Sequence, residues 1–461
     1  MKRYIKYIAI IVSVILVAIT VTACSINKNN TDNQTDTSSG KTSEVKTDAA
    51  QSDYFTERDL DPSYEEKDAK QLRPGNSGTA ITEEGVYILS GKYEGGVIID
   101  AGESAKVQLV LNNAEITNST GPAIYVKSAD KVFITLPEGT ENTLTDSGEE
   151  YTQSGEKSID GVIFADSDLT LNGSGKLSVT AGYKHAIVSK KDLTITDGSY
   201  EITSAEKALE GENSIRICGG EFVIKAGDDA LHADEENDKD KGFVYISGGS
   251  FNIESDDDGI HAVTVLTIDG GTFIITAHEA LEATQVIIND GEISISASDD
   301  GINAAKKSEL YDPKVEINGG NIKIVMGQGD TDAVDSNGSI AVNGGSLNIT
   351  AQSAFDFETE GKINGGEVTV NGEKITEISN QFGGGMHGGQ DGFGKREPMT
   401  DENGETLTRP DFKNFTNENG ETLKRPERGE RPPQAEGETP PEPPTGENPA
   451  PAEPSSESTT I

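Results

Sequence analysis

From Ile217 onward the chain restates one short pattern: an apolar residue, a glycine pair, alternating apolar residues, then acids before a small residue. It reads Ile217-Cys-Gly-Gly-Glu-Phe-Val-Ile-Lys-Ala-Gly-Asp-Asp-Ala, and again Ile246-Ser-Gly-Gly-Ser-Phe-Asn-Ile-Glu-Ser-Asp-Asp-Asp-Gly. Further copies begin at Ile268, Ile288, Ile317, Val342 and Ile363, with looser ones at Leu171 and Ile195. A fixed period of this length is the signature of a solenoid, in which each copy buries its apolar face only by stacking on its neighbours. The small residue falls at Ala186, Ala208, Ala230, Gly259, Ala280, Gly301, Ala333 and Ala354, in steps of 22, 22, 29, 21, 21, 32 and 21. The near-constant step, lengthened twice by insertions, predicts one structural turn per copy.

The period inside each copy selects the kind of solenoid. Phe251-Asn-Ile-Glu and Leu266-Thr-Ile268 alternate apolar and polar residues, as half-buried strands do, because successive side chains point to opposite faces. Three such runs, separated by Gly, Asp and Ser turns, fill a copy and leave no room for a helix of about ten residues. The expectation is an all-β fold, a right-handed parallel β-helix with three short strands per coil. A sandwich of many short strands is the alternative. Ile246, Phe251, Ile253 and Ile260 should point inward and stack as ladders.

The two ends bound the folded part. Lys2, Arg3 and Lys6 precede an apolar run from Ile8 to Val21, followed by Thr-Ala-Cys24. That order predicts a signal peptide over 1–23 and lipid attachment at Cys24. Residues 25–53 carry little to bury, so 24–53 reads as a lipidated flexible tether. From 381 onward come Gly-rich, twice-repeated decameric and Pro/Glu-rich stretches, read as a disordered spacer over 381–461. One ordered region remains, 54–380. Cys218, the only other cysteine, is expected mid-strand in the core, so no internal disulfide is expected.

Between Val86 and Asp146 strand-like runs continue irregularly, as first coils and a cap over the open end of the solenoid would. Here the chain resembles a known family. Val107-Gln-Leu-Val-Leu-Asn-Asn, Gly121-Pro-Ala-Ile-Tyr-Val-Lys-Ser-Ala-Asp-Lys-Val, Glu141-Asn-Thr-Leu-Thr-Asp146 and Lys191-Asp-Leu-Thr-Ile195 look like the clostridial carbohydrate-binding β-helix lipoproteins, over roughly residues 80–375. The resemblance implies a calcium-containing right-handed parallel β-helix, related in shape to pectate lyases, that binds plant polysaccharides at the cell surface without cleaving them. Ala230 and Ala280 depart from the glycine often found after the acidic pair, and His232 and His261 are unusual.

Two columns of acids carry the chemistry. Before the small residue stand Asp228-Asp229, Asp257-Asp258, His278-Glu279, Asp299-Asp300 and Thr331-Asp332. Two residues after it stand Glu210, His232, His261, Glu282, Asn303, Asp335 and Asp356. Equivalent positions of neighbouring coils lie about 4.8 Å apart, where carboxylates repel unless a cation intervenes. Calcium takes six to eight oxygens at about 2.3–2.6 Å and can bridge two rungs, whereas zinc prefers nitrogen and sulfur. The expected metal ligands are Asp228, Asp229, Asp257, Asp258, Asp299, Asp300, Glu210, Glu282 and Asp335. His232, His261 and Tyr311 are the expected carbohydrate contacts, with Tyr183 and Tyr200 as further exposed rings.

A formal charge of −42 would repel nucleic acid, so the expected partners are a polysaccharide and, through Cys24, the membrane. A monomer at the bacterial cell surface is expected. Two alternatives stay open: a calcium-dependent pectate-type lyase, with Lys184, Lys190 or Lys207 as base, and a structural adhesin or wall spacer.

Overall fold

The computed structural model describes residues 54–73, 75, 78–151, 158–327 and 331–379, together with the strand pair Phe415–Thr416 and Thr422–Leu423. The segments read as signal peptide and tether lie outside the described residues, as does the tail apart from that antiparallel pair. Among the described residues no helix is long and apolar enough to cross a membrane.

The fold is all-β and its sheets are overwhelmingly parallel. Over most of the chain each strand pairs with the strand three positions further on, so three sheets grow side by side. The first runs through Lys131–Thr135, Asp168–Asn172, Asp192–Ile195, Ser214–Ile217 and Phe243–Ile246, and later through Lys314–Ile317, Ser339–Val342 and Glu360–Ile363. The second contains Glu141–Asp146, Lys176–Ala181, Ser199–Ser204, Glu221–Ala226, Ser250–Ser255, Thr272–Ala277, Glu292–Ala297, Asn321–Met326, Ser346–Thr350 and Glu367–Val370. The third contains Gly161–Ala165, His185–Ser189, Leu209–Gly211, Leu231–Ala233, Ile302–Ala304, Asp332–Ser336 and Ser353–Phe357. Ile260–Ile268 and Leu281–Ile288 run through the third sheet and on into the first, with a register shift between Ala262 and Val265.

The residue pattern dictates this arrangement. In the second sheet inward and outward positions alternate strictly, so one ladder runs Leu177, Tyr200, Phe222, Phe251, Phe273, Ile293, Ile322, Leu347 in register. All are buried. The rings of Tyr200, Phe222, Phe251 and Phe273 stack at centroid distances of 5.0, 4.6 and 4.7 Å. Tyr200 is therefore a core residue and not an exposed ring for sugar, because its position in the alternation is an inward one.

The glycine pair has two separate causes. A Cβ on Gly248 would meet the Cys218 carbonyl oxygen of the previous coil at 2.7 Å, so the first glycine permits close approach. Gly249 has a φ of 113°, in the region that side chains avoid, and turns the chain into the second sheet.

The N-terminal region holds the expected first coils. Lys70–Leu72, Gly85–Glu94 and Lys106–Asn118 pair in parallel like later coils. The irregularity is one of strand length: Lys106–Asn118 pairs with both Lys131–Thr135 and Glu141–Asp146, spanning two sheets without a break. At the other end Glu373–Ile375 folds back antiparallel on Glu367–Val370 and covers that edge.

Residues 54–60 lie against the outer face of the first sheet. Tyr54 stacks on Tyr245 at 3.8 Å, and Phe55 packs with Tyr245 and Cys218. Cys218 thus follows its strand and is buried beneath this segment, outside the main core, rather than mid-strand within it. Asp59, 2% exposed, accepts hydrogen bonds from Thr170 Oγ1 at 2.6 Å and pairs with Lys131 at 2.6 Å.

Candidate functional site

The turn from the second sheet into the third brings the acids together. Backbone bonds run from Ala186, Ala208, Ala230, Gly259, Ala280 and Gly301 N–H to the carbonyls of Lys207, Asp229, Asp258, Glu279, Asp300 and Asp332, so these residues form one column. On the outer face of the third sheet a second column runs Val188, Glu210, His232, His261, Glu282, Asn303, Asp335, Asp356 in strand register. The two columns face each other, because residues three apart across this turn meet: His232 Nδ1 lies 2.5 Å from Asp229 Oδ2 and His261 Nδ1 lies 2.6 Å from Asp258 Oδ2. Asp228, Asp257, His278 and Asp299 form a more exposed column beside them.

Charge compensation divides this strip into three stretches. At its N-terminal end lysines dominate. Lys190 Nζ binds Glu210 Oε1 at 2.7 Å, Lys207 Nζ lies 3.9 Å from Glu210 Oε2, and Lys184 lies 3.7 Å from Glu206. His185 is buried beside them. Burial depresses its pKa to about 4 against the pull of Glu210 and Asp160, and its Nδ1 accepts the Lys207 backbone N–H at 3.2 Å. Glu210 is thus engaged by lysine and is poorly suited to hold a metal ion.

Histidines compensate the middle stretch. Besides Asp258, His261 Nδ1 contacts Glu282 Oε2 at 2.9 Å. Burial would lower the His261 pKa, but the hydrogen bonds to Asp258 and Glu282 outweigh it and hold it at about 10. Lys307 reaches in from an insertion to Glu282 Oε1 at 2.7 Å. Burial would raise Glu282, yet His261 and Lys307 pull it down to about 2. Asp229, Asp258 and Glu282 therefore all have a cationic or imidazole partner.

In the C-terminal stretch His278 Nδ1 lies 3.8 Å from Asp299 Oδ2 at the exposed edge. Among the described residues neither Asp300 nor Asp335 pairs with a Lys, Arg or His. Burial and then the charges of Asp335, Asp299 and Asp332 lift Asp300 to about 7. Burial followed by Asp356 and Asp332 lifts Asp335 to about 6. Glu279 is pushed up to about 9 by burial and then by Glu282. Asn303, 7% exposed, donates through Nδ2 to Glu279 Oε2 at 2.9 Å and to Glu282 Oε1 at 3.4 Å, while its Oδ1 is buried without a partner among the described residues. Thr331 Oγ1, in the same turn, is also buried and has no hydrogen-bond partner among the described residues. Carboxyls kept partly neutral by burial and then by one another's charge, beside neutral amide and hydroxyl oxygens, make an oxygen-only set of side chains. Such a set fits a hard divalent cation. Glu279 and Asn303 enter it although only their neighbours stood among the expected ligands. Their place in the two columns is the signal that finds them.

Two insertions border the third sheet on its other side. They follow Leu231–Ala233 and Ile302–Ala304, and they touch: Tyr311 Oη donates to the Lys239 carbonyl at 2.7 Å and Ser308 Oγ to the Glu236 carbonyl at 3.4 Å. Tyr311 thus ties the loops together at the rim. A third, shorter excursion expected from the sequence, Met326 to Asp330 before the acidic turn, lies in part outside the described residues, at 328–330. The outer face of the third sheet is therefore flanked by the acidic turn on one side and the paired insertions on the other. His232 and His261 lie on it with their rings stacked 4.7 Å apart.

A family model described as carbohydrate-binding domain-containing protein matches residues 75–333, more than half of the 461-residue chain. The chain belongs to this family. A curated protein of the same description from Acetivibrio thermocellus is 36% identical over 124 residues, which are 26% of this carbohydrate-binding-domain protein and 43% of that relative. The match thus spans less than half of the relative's length. A solved structure described as the polysaccharide lyase-like protein from C. thermocellum, gadolinium derivative, aligns at 23% identity and a TM-score of 0.37, covering 68% of this chain and 96% of that one. The matched family segment includes the lysine and histidine stretches and most of the uncompensated one.

Proposed function

We propose that this protein is a cell-surface lipoprotein that binds polysaccharide, a plant cell-wall or acidic glycan, through calcium held on its third sheet. The coil is read as a right-handed parallel β-helix with three strands per turn, the hand taken by nearly all parallel crossover connections. Cys24 would carry the lipid that tethers it to the outer face of the membrane, and the folded part would act as a monomer.

The observation that carries this reading is the uncompensated stretch. Asp300 and Asp335, with Glu279 and the free Asn303 oxygen, would supply oxygen ligands, and Asp299 would lie at their exposed edge. Calcium seldom receives all of its six to eight ligands from protein, so open positions remain for glycan carboxylates or hydroxyls. This also resolves a conflict of charge, because an acidic glycan is repelled by bare carboxylates but drawn to an ion between them. Asp228, Asp229, Asp257, Asp258 and Glu282 would then shape the strip rather than hold this ion.

A binder is favoured over a lyase by the state of the lysines. A basic catalyst needs a lowered pKa. Burial would lower Lys190, but Glu210 outweighs it and holds Lys190 above its ordinary value. Lys207 Nζ lies 3.9 Å from Glu210 Oε2 and Lys184 Nζ 3.7 Å from Glu206 Oε2.

The test is retention of the purified protein on insoluble glycans and immobilised polygalacturonate, with calcium or with chelator. Calcium-dependent retention, weakened at least tenfold in a D300N/D335N variant, is expected. Retention indifferent to both changes overturns the calcium site, and retention on no glycan leaves the adhesin reading. Growth of unsaturated uronate absorbance in the same mixtures would instead establish the lyase. A Cys24→Ala protein should appear in the culture medium.

A further inference from the structure

The turn from the first sheet into the second carries a hollow that shares no residue with the acid strip. Residues 136–140 and 173–175 make that turn in two coils, whereas the acids stand where the second sheet leads into the third. Pro62 and Tyr64, continuing the segment packed on the first sheet, close over these two turns and leave a space of about 370 Å³. Buried Leu136 lies at its base, the half-buried rings of Tyr64 and Pro137 line it with Pro62, and exposed Glu138 and Ser174 stand at its rim. The lining is held in place by the fold itself. Gly175 N–H donates to the Leu136 carbonyl at 2.9 Å and Thr140 Oγ1 to the Pro137 carbonyl at 2.8 Å. Gln108 Nε2 donates to the Pro62 carbonyl at 3.3 Å, and Arg58 in turn holds Gln108 Oε1 at 2.7 Å. The Tyr64 hydroxyl, Ser174 Oγ and the Glu138 carboxylate, by contrast, have no hydrogen-bond or ion-pair partner among the described residues.

We propose that this hollow is a second carbohydrate site, which takes one neutral sugar residue without a metal ion. A pyranose ring has an apolar face of C–H bonds and an edge of hydroxyls. The face matches the Tyr64 and proline rings, and the hydroxyls meet Ser174, Glu138 and Tyr64 Oη. A mostly apolar hollow with a few convergent polar groups is the usual form of a small-ligand site, and a tyrosine with its ring covered and its hydroxyl wet suits such a boundary. Charge selects the kind of sugar. Glu138 is the one charged residue of the lining, so the site repels a uronate carboxylate and accepts a neutral ring. A lining already held by the turns and by Gln108 lowers the ordering cost of binding. Pro62 and Tyr64 precede the matched family segment, which begins at residue 75, so the hollow draws on residues that the family match does not include.

The inference rests on the protein binding carbohydrate but not on the calcium reading, so its test keeps calcium out. The experiment is calorimetric titration of neutral hexaoses of glucose, xylose, mannose and galactose into the intact protein in chelator. At least one of them should bind at a single site with a dissociation constant of about 0.1–1 mM, and trigalacturonate should not. Tyr64→Ala should weaken that binding about tenfold, as loss of an aromatic anchor does, while Tyr64→Phe keeps most of it. Tyr311→Ala and the D300N/D335N pair should leave it unchanged. Binding of none of the four sugars overturns the site, as does equal affinity in the parent and Tyr64→Ala. Should Tyr64→Ala fail to fold, Ser174→Trp decides from the exposed rim: its indole fills the hollow, loss of sugar binding is expected, and unchanged binding overturns the proposal. Calcium-dependent retention on polygalacturonate that persists in Tyr64→Ala separates a failure here from a failure of the calcium site.

Discussion

Asp59 shows how much one side chain can fasten. It joins residues 54–60 to the first sheet through Lys131 and Thr170, and braces the segment itself through Thr56. Burial would raise its pKa, but these partners outweigh it and hold the carboxyl below its ordinary 3.8. A depressed folded pKa means that the stabilisation is present above about pH 4 and is lost as pH falls through the lower folded value. Acid should therefore release this segment before the coils open, seen as cleavage near Tyr54 in limited proteolysis at falling pH. Asp59→Ala should produce the same cleavage at neutral pH and lower stability by about 1.5–3 kcal/mol, the range for a hydrogen bond to a charged group. Indifference of the segment to both changes would show that Tyr54 and Phe55 hold it alone.

At the scale of the strand and turn, the ladders set the register. Phe251 lies between Phe222 and Phe273 with both rings parallel to its own within 1°, so Phe251→Ala should cost about 3–5 kcal/mol by leaving a cavity that two neighbours cannot fill. Denaturant unfolding measures it. Much of this element structure was legible in the sequence. Alternation around Phe251 and Ile253 gave the inward face, the glycine pair gave the turn, and small residues at 230, 259, 280 and 301 put the acids in register. A turn ladder of amides was legible only in part: Asn318, Asn343 and Asn364 each precede a glycine pair, but their bonding shows only once coils are stacked. Asn318 donates to Asn289 at 2.8 Å, Asn343 to Asn318 at 2.8 Å, and Asn364 to Asn343 at 2.8 Å. Asn318→Ala breaks two of these links and should cost about 1–3 kcal/mol, taken as two ordinary hydrogen bonds. Charge compensation was not legible at all. Lys307 reaches Glu282 only because an insertion folds back across the sheet, and Lys190 meets Glu210 from the preceding coil.

For the molecule as a whole, the acid strip makes stability and ligand state one question. Stacking coils forces Asp300 and Asp335 together, and their pKa values near 7 and 6 state how the metal-free fold responds. A carboxyl raised above its unfolded value of about 3.8 contributes most below that pH, and the contribution is lost as pH rises through 6–7. Metal-free protein should thus lose melting temperature between about pH 4 and 7 relative to the D300N/D335N variant, which has no charge to lose there. If an ion bound only to the folded state fills the stretch, calcium at a hundred times its dissociation constant adds about 2.7 kcal/mol and removes that pH dependence. The two proteins should therefore cross over: the variant melts higher in chelator, and the parent melts higher in calcium. Scanning calorimetry at pH 7 under both conditions tests it. A variant that melts lower in both would mean that these acids support the turn by hydrogen bonding alone, as Asp300 Oδ1 does in accepting the Asp332 backbone N–H at 3.1 Å, and the strip would lose its claim to a cation.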